Sequence, residues 1–371
     1  MKASESLAAI TAEQWRPLQA PHFPFSDYAY LHALEVSGAV SPPTGWEPCY
    51  LTCFEGETPV GAVVLYAKTH SYGEYIFDWA WAQAYAAHRV EYYPKFSGAI
   101  PFTPATGPKL LFAPGVDQAK VARSLLEEAK RLAVVRGMSS LHFLFLTPEE
   151  VPHFEANGFL VRDSFQFHWK NNHYRSFDDF LAALKPRKRK AIVHEREELK
   201  KAGLRIETVT GEGLTPELAA FFHECYLTTI HKMGAIPYMN LPFFEKVFAT
   251  MRNEVVLEVA WRGTQKIAAA LFYQKGQALF GRYWGALEDV KHLHFELCYY
   301  RGIQRAIDQG LTLFEAGAQG EHKIARGFLP QVTYSAHWIR HDAFRSAIIN
   351  FIAEERAAIA NFFAGVKSPF A

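Results

Sequence analysis

Alternating apolar and polar positions predict two β-hairpins far apart in the chain. Each is followed by a run rich in aromatic residues, which predicts a third strand beside each hairpin. The predicted strands lie at residues 50–54, 60–68 and 75–82 in the first half and at 254–261, 266–274 and 278–285 in the second. Short polar turns with a central glycine, at Gly56 and Gly263, separate the two strands of each hairpin.

Apolar residues spaced three and four apart predict helices after these strands. In the first half Val121, Leu125, Ala129 and Leu132 share one face of a helix over residues 117–137, with a buried strand at 141–146. In the second half a helix over 294–309 precedes a strand at 311–316. The same order of elements recurs after about 200 residues, which indicates two copies of one α/β unit.

The predicted fold class is therefore α/β, with two tandem units that each contain a mixed sheet flanked by helices. We place the first unit at residues 1–165 and the second at 166–371. The second unit then includes a C-terminal helix over residues 343–363.

A dense polar patch follows the predicted strand at 311–316. Gly317 and Gly320 allow a sharp turn around Gln319, because glycine tolerates backbone angles that other residues avoid. Gln319 is a candidate substrate-binding residue. The patch itself combines an acid, an imidazole and two cations: Glu321, His322, Lys323 and Arg326. Loops fixed by rigid elements often carry function, so we expect a site here. The alternative is a solvated turn with a surface ion pair.

A long irregular loop, YYPKFSGAIPFTPATGPKLL at residues 92–111, contains four prolines and several aromatic residues. Loops of this length without regular structure are usually functional or disordered, and the aromatic content favours function. Tyr93, Phe102, Thr103 and Thr106 are the candidate substrate-binding residues. The alternative is a loop that only covers one end of the core.

Residues 185–205 hold nine Lys and Arg against three Glu. Pro186 suits the first turn of a helix, so Arg187, Lys188 and Arg189 would add their charge to the positive end of the helix dipole. This arrangement predicts phosphate contacts, and the alternative is a solvated helix face. Tyr238, after Gly234 and Pro237, is a further candidate for substrate binding.

Composition limits the protein classes. The chain has 371 residues, is 49% hydrophobic and 15% aromatic, and carries a formal charge of +1, which is enough for two domains of ordinary size. Its four cysteines complete no zinc pattern, so we predict no metal site. The N-terminal residues lack a signal-peptide core and no run reaches the length of a membrane span, so we expect a soluble cytoplasmic protein without a membrane span.

Three motifs carry a family resemblance that extends over nearly the whole chain. They are YYPKFSGAIPFTPATGPKLL at 92–111, HFELCYYRGIQ at 294–304 and FEAGAQGEHKIARGFLP at 314–330. With the order of elements, they resemble a bacterial family of predicted N-acyltransferases. That family consists of tandem GNAT-like (acyl-CoA N-acyltransferase) units and is related to the Fem-type aminoacyltransferases of peptidoglycan synthesis.

The resemblance implies transfer of an acyl or aminoacyl group to an amine of a cell-wall-precursor-like or other small substrate. The implied donor is an aminoacyl-tRNA or an acyl-CoA, so tRNA is an implied partner. GNAT enzymes hold the coenzyme A pyrophosphate with a glycine pair after the aromatic strand, where this chain reads GALEDVKHLHFEL. This departure favours aminoacyl-tRNA or another activated ester over acetyl-CoA.

Acyl transfer to an amine needs a proton acceptor and donors for the developing oxyanion. Glu321 or His322 are the candidate acceptors, and Lys323 and Arg326 the candidates for holding an oxyanion or phosphate. The rival interpretation is a non-catalytic binder of nucleic acid or of a phosphate-containing precursor, which uses the basic run on a GNAT-like scaffold.

Overall fold

A computed structural model describes residues 1–317 and 320–371 and divides into two compact units. The first contains Met1–Phe165 and Val332–Val366, and the second contains Gln166–Gln331 and Lys367–Ala371. Val332–Val366 thus group with the first unit, whereas the sequence analysis places all of residues 166–371 in the second.

The contacts of the C-terminal helix explain this grouping. Arg162 donates two hydrogen bonds of 2.7 Å to the Glu355 carboxylate, in the fork geometry that makes such pairs specific. The Phe344 ring stacks on Tyr85 with centroids 3.7 Å apart. Contacts between residues so distant in sequence leave no local pattern, so helical periodicity cannot assign a helix to its unit.

The strands, in chain order, are β1 (Lys2–Ser4), β2 (Trp46–Glu55), β3 (Thr58–Lys68), β4 (Lys95–Gly98), β5 (Leu110–Phe112), β6 (Ser140–Leu146), β7 (Leu160–Lys170), β8 (Arg205–Val209), β9 (Val255–Arg262), β10 (Gln265–Lys275), β11 (Ala278–Ala286), β12 (Leu313–Glu315) and β13 (Leu329–Ile339). The α-helices are α1 (Ala12–Trp15), α2 (Tyr28–Val36), α3 (Trp79–Ala87), α4 (Gln118–Val135), α5 (Val151–Ala156), α6 (Phe177–Ala183), α7 (Pro186–Lys201), α8 (Pro216–Lys232), α9 (Leu241–Thr250), α10 (Leu293–Phe295), α11 (Arg301–Asp308) and α12 (Asp342–Gly365). A π-helical segment covers Glu296–Tyr300, and 3₁₀ turns cover Leu7–Ala9, Arg16–Leu18, Pro24–Ser26, Pro42–Thr44, Gly211–Gly213 and Glu321–Arg326.

Both units contain a mixed sheet, which confirms the predicted α/β class. The order in the first unit is β1-β2-β3-β4-β6-β13, with β5 also on β3, and in the second β7-β12-β11-β10-β9-β8. The predicted hairpins form as β2–β3 and β9–β10, while β4–β6 and β11–β12 are parallel pairs. Helix α4 buries its predicted face in the core of the first unit.

The aromatic run at 75–82 is not the predicted strand. Its second part begins α3 (Trp79–Ala87), where alanines favour the helix and Trp81 and Tyr85, four residues apart, share the buried face. The strand beside the hairpin is instead β4, inside the segment that the sequence describes as irregular. The alternation of aromatic residues before Trp79 imitates a strand, which explains the wrong prediction.

The parallel pairs end differently in the two units. In the first, pairing of β4 with β6 stops at Gly98 and Phe143, and beyond it Ala99 and Phe145 pack with Ile76 in a small buried cluster. Side chains therefore fill the space where the strands separate. In the second, pairing of β11 with β12 stops after the third residue pair, and a cavity adjoins the next residues of β11.

Candidate functional site

A cavity of about 120 Å³ lies in the second unit, where β11 continues beyond its pairing with β12. Its walls come from the middle of β10 and β11, from the helical segment after β11, and from Ala316 just beyond β12. The register between β10 and β11 shifts at Leu271 and Phe272, and both residues line the cavity. Such irregularities often occur beside functional sites, because they re-aim side chains. The C-terminal end of β12 thus opens onto a pocket, as the sequence pattern predicts for this stretch.

The π-helical segment Glu296–Tyr300 aligns two cavity residues that an ordinary helix would separate. A π-helix forms i→i+5 hydrogen bonds and is wound more loosely than an α-helix, so Tyr299 in this segment comes to the same side as His294 in the turn before it. Their rings are 5.4 Å apart, and both line the cavity. Burial lowers the pKa of His294 to about 4, with smaller contributions from His322 and nearby cations, so its ring is neutral at pH 7.

Tyr299 connects the cavity to the predicted polar patch. The Tyr299 hydroxyl lies 2.9 Å from Nε2 of His322, which is within hydrogen-bond range. Burial raises the pKa of Tyr299, so the phenol keeps its proton. Partial burial and the neighbouring Arg326 and Lys323 lower the pKa of His322. The pair therefore contains a protonated phenol beside a neutral imidazole at pH 7.

Lys323 is buried beside the same cavity, with 1% of its surface exposed. Its Nζ donates a 2.8 Å hydrogen bond to the carbonyl oxygen of Gly317. Burial lowers its pKa from 10.5 to about 8; Cys298 and Glu315 oppose this shift, and Arg282 adds to it. Lys323 does not itself line the cavity, but its partner Gly317 directly follows Ala316, which does. A buried lysine with a lowered pKa is typical of functional sites.

The predicted glycine turn has the backbone geometry that requires glycine at its two ends. Gly317 and Gly320 have φ values of 81° and 121°. A Cβ atom on Gly320 would come within 2.4 Å of Cε1 of His322. Gln319, a predicted substrate-binding residue, lies outside the described residues. Glu321 is exposed at the start of the 3₁₀ turn, and its role as a proton acceptor stays a prediction.

Arg326 makes its contacts within the protein. Nη2 donates to both carboxylate oxygens of Glu195, at 2.8 and 2.9 Å. Nε donates to the Tyr300 hydroxyl at 2.9 Å, and Nη1 donates to the carbonyl oxygen of His322 at 3.1 Å. The guanidinium carbon lies 3.5 Å from the centre of the Phe295 ring. All three nitrogens are therefore engaged, which favours a structural role over the predicted contact with substrate.

Helix α7 carries most of the basic run. Arg187 is exposed, and Lys188 and Arg189 are partly exposed near its first turn. Farther along, Arg196 turns inward and binds the Glu296 carboxylate through two hydrogen bonds of 3.0 Å. The first turn of α7 thus presents cations to solvent, while Arg196 in the middle of the helix contacts the π-helical segment that begins at Glu296. Phosphate binding by the first turn stays a prediction.

Tyr238 is linked to the cavity wall through other residues. Its backbone N–H donates a 3.1 Å hydrogen bond to the Tyr226 hydroxyl. The Tyr226 ring packs edge-on against Tyr283, with centroids 5.4 Å apart, and Tyr283 lines the cavity. Its role as a substrate contact stays a prediction.

The remaining predicted residues belong to the first unit. Tyr93 is partly buried and lines a separate cavity of about 310 Å³ within that unit. Phe102 and Thr103 are buried, and Thr103 shares a 3.0 Å hydrogen bond with the Tyr30 hydroxyl. Thr106 is partly buried. Burial of Phe102 and Thr103 favours a packing role, and substrate binding by these four residues stays a prediction.

The first unit also contains a buried polar network that the sequence does not reveal. Lys95 forms ion pairs with Glu74, at 2.7 Å, and with Asp78. Nearby, Nδ1 of His142 lies 2.6 Å from Nδ1 of His337, and burial lowers the pKa of both rings. Buried charges need such partners, because an isolated ion in the interior is very unfavourable.

Several residues of the second-unit site are also absent from the sequence predictions: Glu195, Arg282, His294, Cys298, Tyr299 and Glu315. The motif at 294–304 contains three of them, and the spacing of His294 and Cys298 places both on one helical face. The spacing of His294 and Cys298 is the sequence signal from which these two site residues could have been predicted. Tyr299 joins them only through the π-helical geometry.

Residues 1–317 and 320–371, which the structure describes, limit other interpretations in two respects. No cluster of three or more His, Cys, Asp or Glu side chains there has an arrangement that would bind a metal ion. No helix in those ranges is both long and apolar enough to cross a membrane.

Comparison with known proteins gives a family and a fold. The FemAB_like family profile, described as peptidoglycan biosynthesis/recognition, matches residues 6–370. The crystal structure of FemX superposes with a TM-score of 0.56 at 12% identity, covering 94% of this chain and 100% of that one. No curated protein matches the sequence.

Two further solved structures share the fold. L-PGS from Bacillus licheniformis gives a TM-score of 0.51 at 8% identity, covering 82% of this chain and 88% of that one. A conserved protein of unknown function from Bacteroides thetaiotaomicron gives a TM-score of 0.52 at 9% identity, covering 90% of this chain and 98% of that one. At such identities the similarity concerns the fold alone. The predicted resemblance to Fem-type proteins is confirmed by the family match.

Proposed function

Because the chain belongs to the FemAB_like family, we propose that it is an N-acyltransferase that passes an acyl or aminoacyl group to an amine. The acceptor is the amine of a peptidoglycan precursor or of a similar small substrate. The observation that carries this proposal is the cavity at the divergence of β11 and β12. The Tyr299 phenol lines this cavity, the His322 imidazole contacts that phenol, and the buried Lys323 amine binds the carbonyl of Gly317, next to the lining residue Ala316.

The reaction joins the acceptor nitrogen to the donor carbonyl carbon, and the donor's ester oxygen or thioester sulfur leaves. The attacking amine must lose a proton, and the leaving group must gain one. Tyr299 accepts the amine proton while its own proton passes to Nε2 of His322, across the observed 2.9 Å contact. The imidazolium then returns a proton through Tyr299 to the leaving oxygen or sulfur, which restores both groups. The lowered pKa of His322 supports this role, because the ring is neutral before the reaction.

Lys323 stabilises the oxyanion that develops on the carbonyl oxygen. The ammonium has three N–H donors, and one is directed to Gly317. Its burial strengthens its field at the cavity, because the local dielectric constant is lower than in water. Its pKa of about 8 keeps it mainly charged at pH 7.

The donor is an ester such as an aminoacyl-tRNA rather than acetyl-CoA. The turn after β11 lacks the glycine pair that holds pyrophosphate in GNAT enzymes. The exposed cations on the first turn of α7 supply the contacts for donor or acceptor phosphates instead.

The test is a transfer assay with two donors. Aminoacyl-tRNAs charged with labelled amino acids, or labelled acetyl-CoA, are incubated with the protein and a nucleotide-linked muropeptide that has a free amine. We expect label in the muropeptide, with a mass gain of one aminoacyl residue, from the tRNA donor. Lys323→Met should lower the rate by about 100-fold or more. Lys120→Met, on an exposed position of α4, is the matched control.

Two outcomes would contradict the proposal. Transfer from acetyl-CoA alone would overturn the choice of donor. Tight binding of tRNA or muropeptide without transfer from either donor would instead support the non-catalytic binder.

A further inference from the structure

We propose that Glu195 is a positioning residue that orients His322 through Arg326. Its catalytic value rests on the proposed function, but the geometry can be tested without a substrate. Glu195 is one of three acids on the basic helix α7, and 15% of its side chain is exposed. The carboxylate faces the 3₁₀ turn Glu321–Arg326 rather than the solvent.

Glu195, Arg326 and Tyr300 form a closed set of contacts. Both carboxylate oxygens of Glu195 accept from Nη2 of Arg326, and one also accepts from the Tyr300 hydroxyl. The same hydroxyl accepts from Nε of Arg326 at 2.9 Å. Since each member contacts the other two, no side chain can rotate alone without breaking two contacts. The guanidinium is thereby fixed in position.

The fixed guanidinium determines where the His322 backbone lies. Nη1 of Arg326 donates to the carbonyl oxygen of His322 at 3.1 Å. With the backbone held there, Nε2 of the His322 ring lies 2.9 Å from the Tyr299 hydroxyl. The order of contacts is therefore α7, Glu195, Arg326, His322 and the cavity residue Tyr299. Within residues 1–317 and 320–371, Glu195 forms its hydrogen bonds with Arg326 and Tyr300, and neither lines the cavity, so its effect on the reaction passes through others.

The same contacts set the charge around His322. Partial burial is the main cause of the lowered pKa of His322. Arg326 and Lys323, on the same turn, lower this pKa further. His294 and Tyr299 face it from the segment after β11, the first neutral and the second protonated. Glu321 precedes it on the turn. Glu195 is the carboxylate that compensates the Arg326 charge. Removing Glu195 or Arg326 should therefore shift the His322 pKa in opposite directions.

The test measures the His322 pKa by NMR on histidine-labelled protein, with His322→Gln to assign the signal. Glu195→Gln leaves the Arg326 charge uncompensated, so the pKa should fall by about 0.5 unit. Arg326→Gln removes the cation, so the pKa should rise by about the same amount. Glu197→Gln is the matched control, because it removes an exposed acid two residues along the same helix and should leave the pKa unchanged.

Opposite shifts support the proposal, and general destabilisation cannot produce them. An unchanged His322 pKa in both variants, with only a lower melting temperature, would make Glu195 a purely structural residue and overturn the proposal. If one variant fails to fold, the direction of the His322 pKa shift in the other variant still supports or overturns the proposal. A transfer assay that finds no activity would count against the proposed function and leave the NMR result intact. If transfer occurs, Glu195→Gln should lower kcat and leave KM nearly unchanged.

Discussion

At the scale of single residues, the buried amine of Lys323 gives the strongest prediction. Lys323→Met should reduce turnover by about 100-fold, because a preorganised oxyanion donor contributes roughly 3 kcal/mol to the transition state. Activity of the natural protein should also fall as the pH rises through about 8, where the amine loses its charge. Initial rates from pH 6 to 9.5 measure both effects. A pH profile that is the same in Lys323→Met would contradict the assignment.

Lys323→Met should lower turnover but raise the free energy of unfolding, because it removes a buried charge. The pKa of Lys323 is about 8 when folded and 10.5 when unfolded, so the unfolded chain binds more protons between these values. Relative to Lys323→Met, the natural protein should therefore gain stability from pH 8 to 10.5, by up to about 3 kcal/mol. Below pH 8 the buried charge opposes folding in full. Urea unfolding of both proteins across this range measures the difference, and parallel curves would show that the amine is not buried.

At the scale of elements, close packing of β11 against α8 depends on one glycine. A Cβ atom on Gly285 would lie 1.7 Å from the carbonyl oxygen of Cys225. Backbone atoms cannot move aside cheaply, so Gly285→Ala should destabilise the protein by at least about 3 kcal/mol. Gly365→Ala is the control, because its Cβ would meet no atom within 4 Å. Urea unfolding checks both, and equal stability of the two variants would contradict the prediction.

The basic helix α7 allows a prediction about ionic strength. Arg187, Lys188 and Arg189 together should contribute to phosphate binding near its first turn. Changing all three to Ala should weaken binding of an aminoacyl-tRNA and flatten the dependence of log Kd on log salt, by up to about two to three units of slope. Fluorescence titrations from 50 to 300 mM salt measure this. An unchanged slope of log Kd against log salt would show that the basic side of α7 is only a solvated face, from which the acid Glu195 turns inward.

Local patterns predict those elements whose causes are local. The hairpins, helix α4 and the glycine turn at Gly317 and Gly320 follow from periodicity and turn chemistry. The π-helical segment does not, because a change of helical repeat depends on packing rather than on composition. The Glu195–Arg326 pair joins residues 131 positions apart, and nothing in either neighbourhood marks the partner.

At the scale of the whole molecule, the first unit depends on both ends of the chain. A chain that ends at Gln331 lacks most of β13 and all of α12, and with them His337, Phe344 and Glu355 of the first unit. We expect the first unit of this truncated protein to be digested by protease well before residues 166–331. Mass spectrometry of a limited digest identifies the surviving fragment. Equal resistance of residues 1–165 would contradict the observed division.

The split first unit also has a consequence for biosynthesis. Strand β6 emerges from the ribosome early, but its partner β13 belongs to the last part of the chain. At typical rates of 5 to 20 residues per second, about 10 to 40 s pass between the two. During that interval one edge of β6 has unpaired backbone groups, and such edges recruit other chains. The nascent protein should therefore need a chaperone at the stage when most of its second unit has already been synthesised.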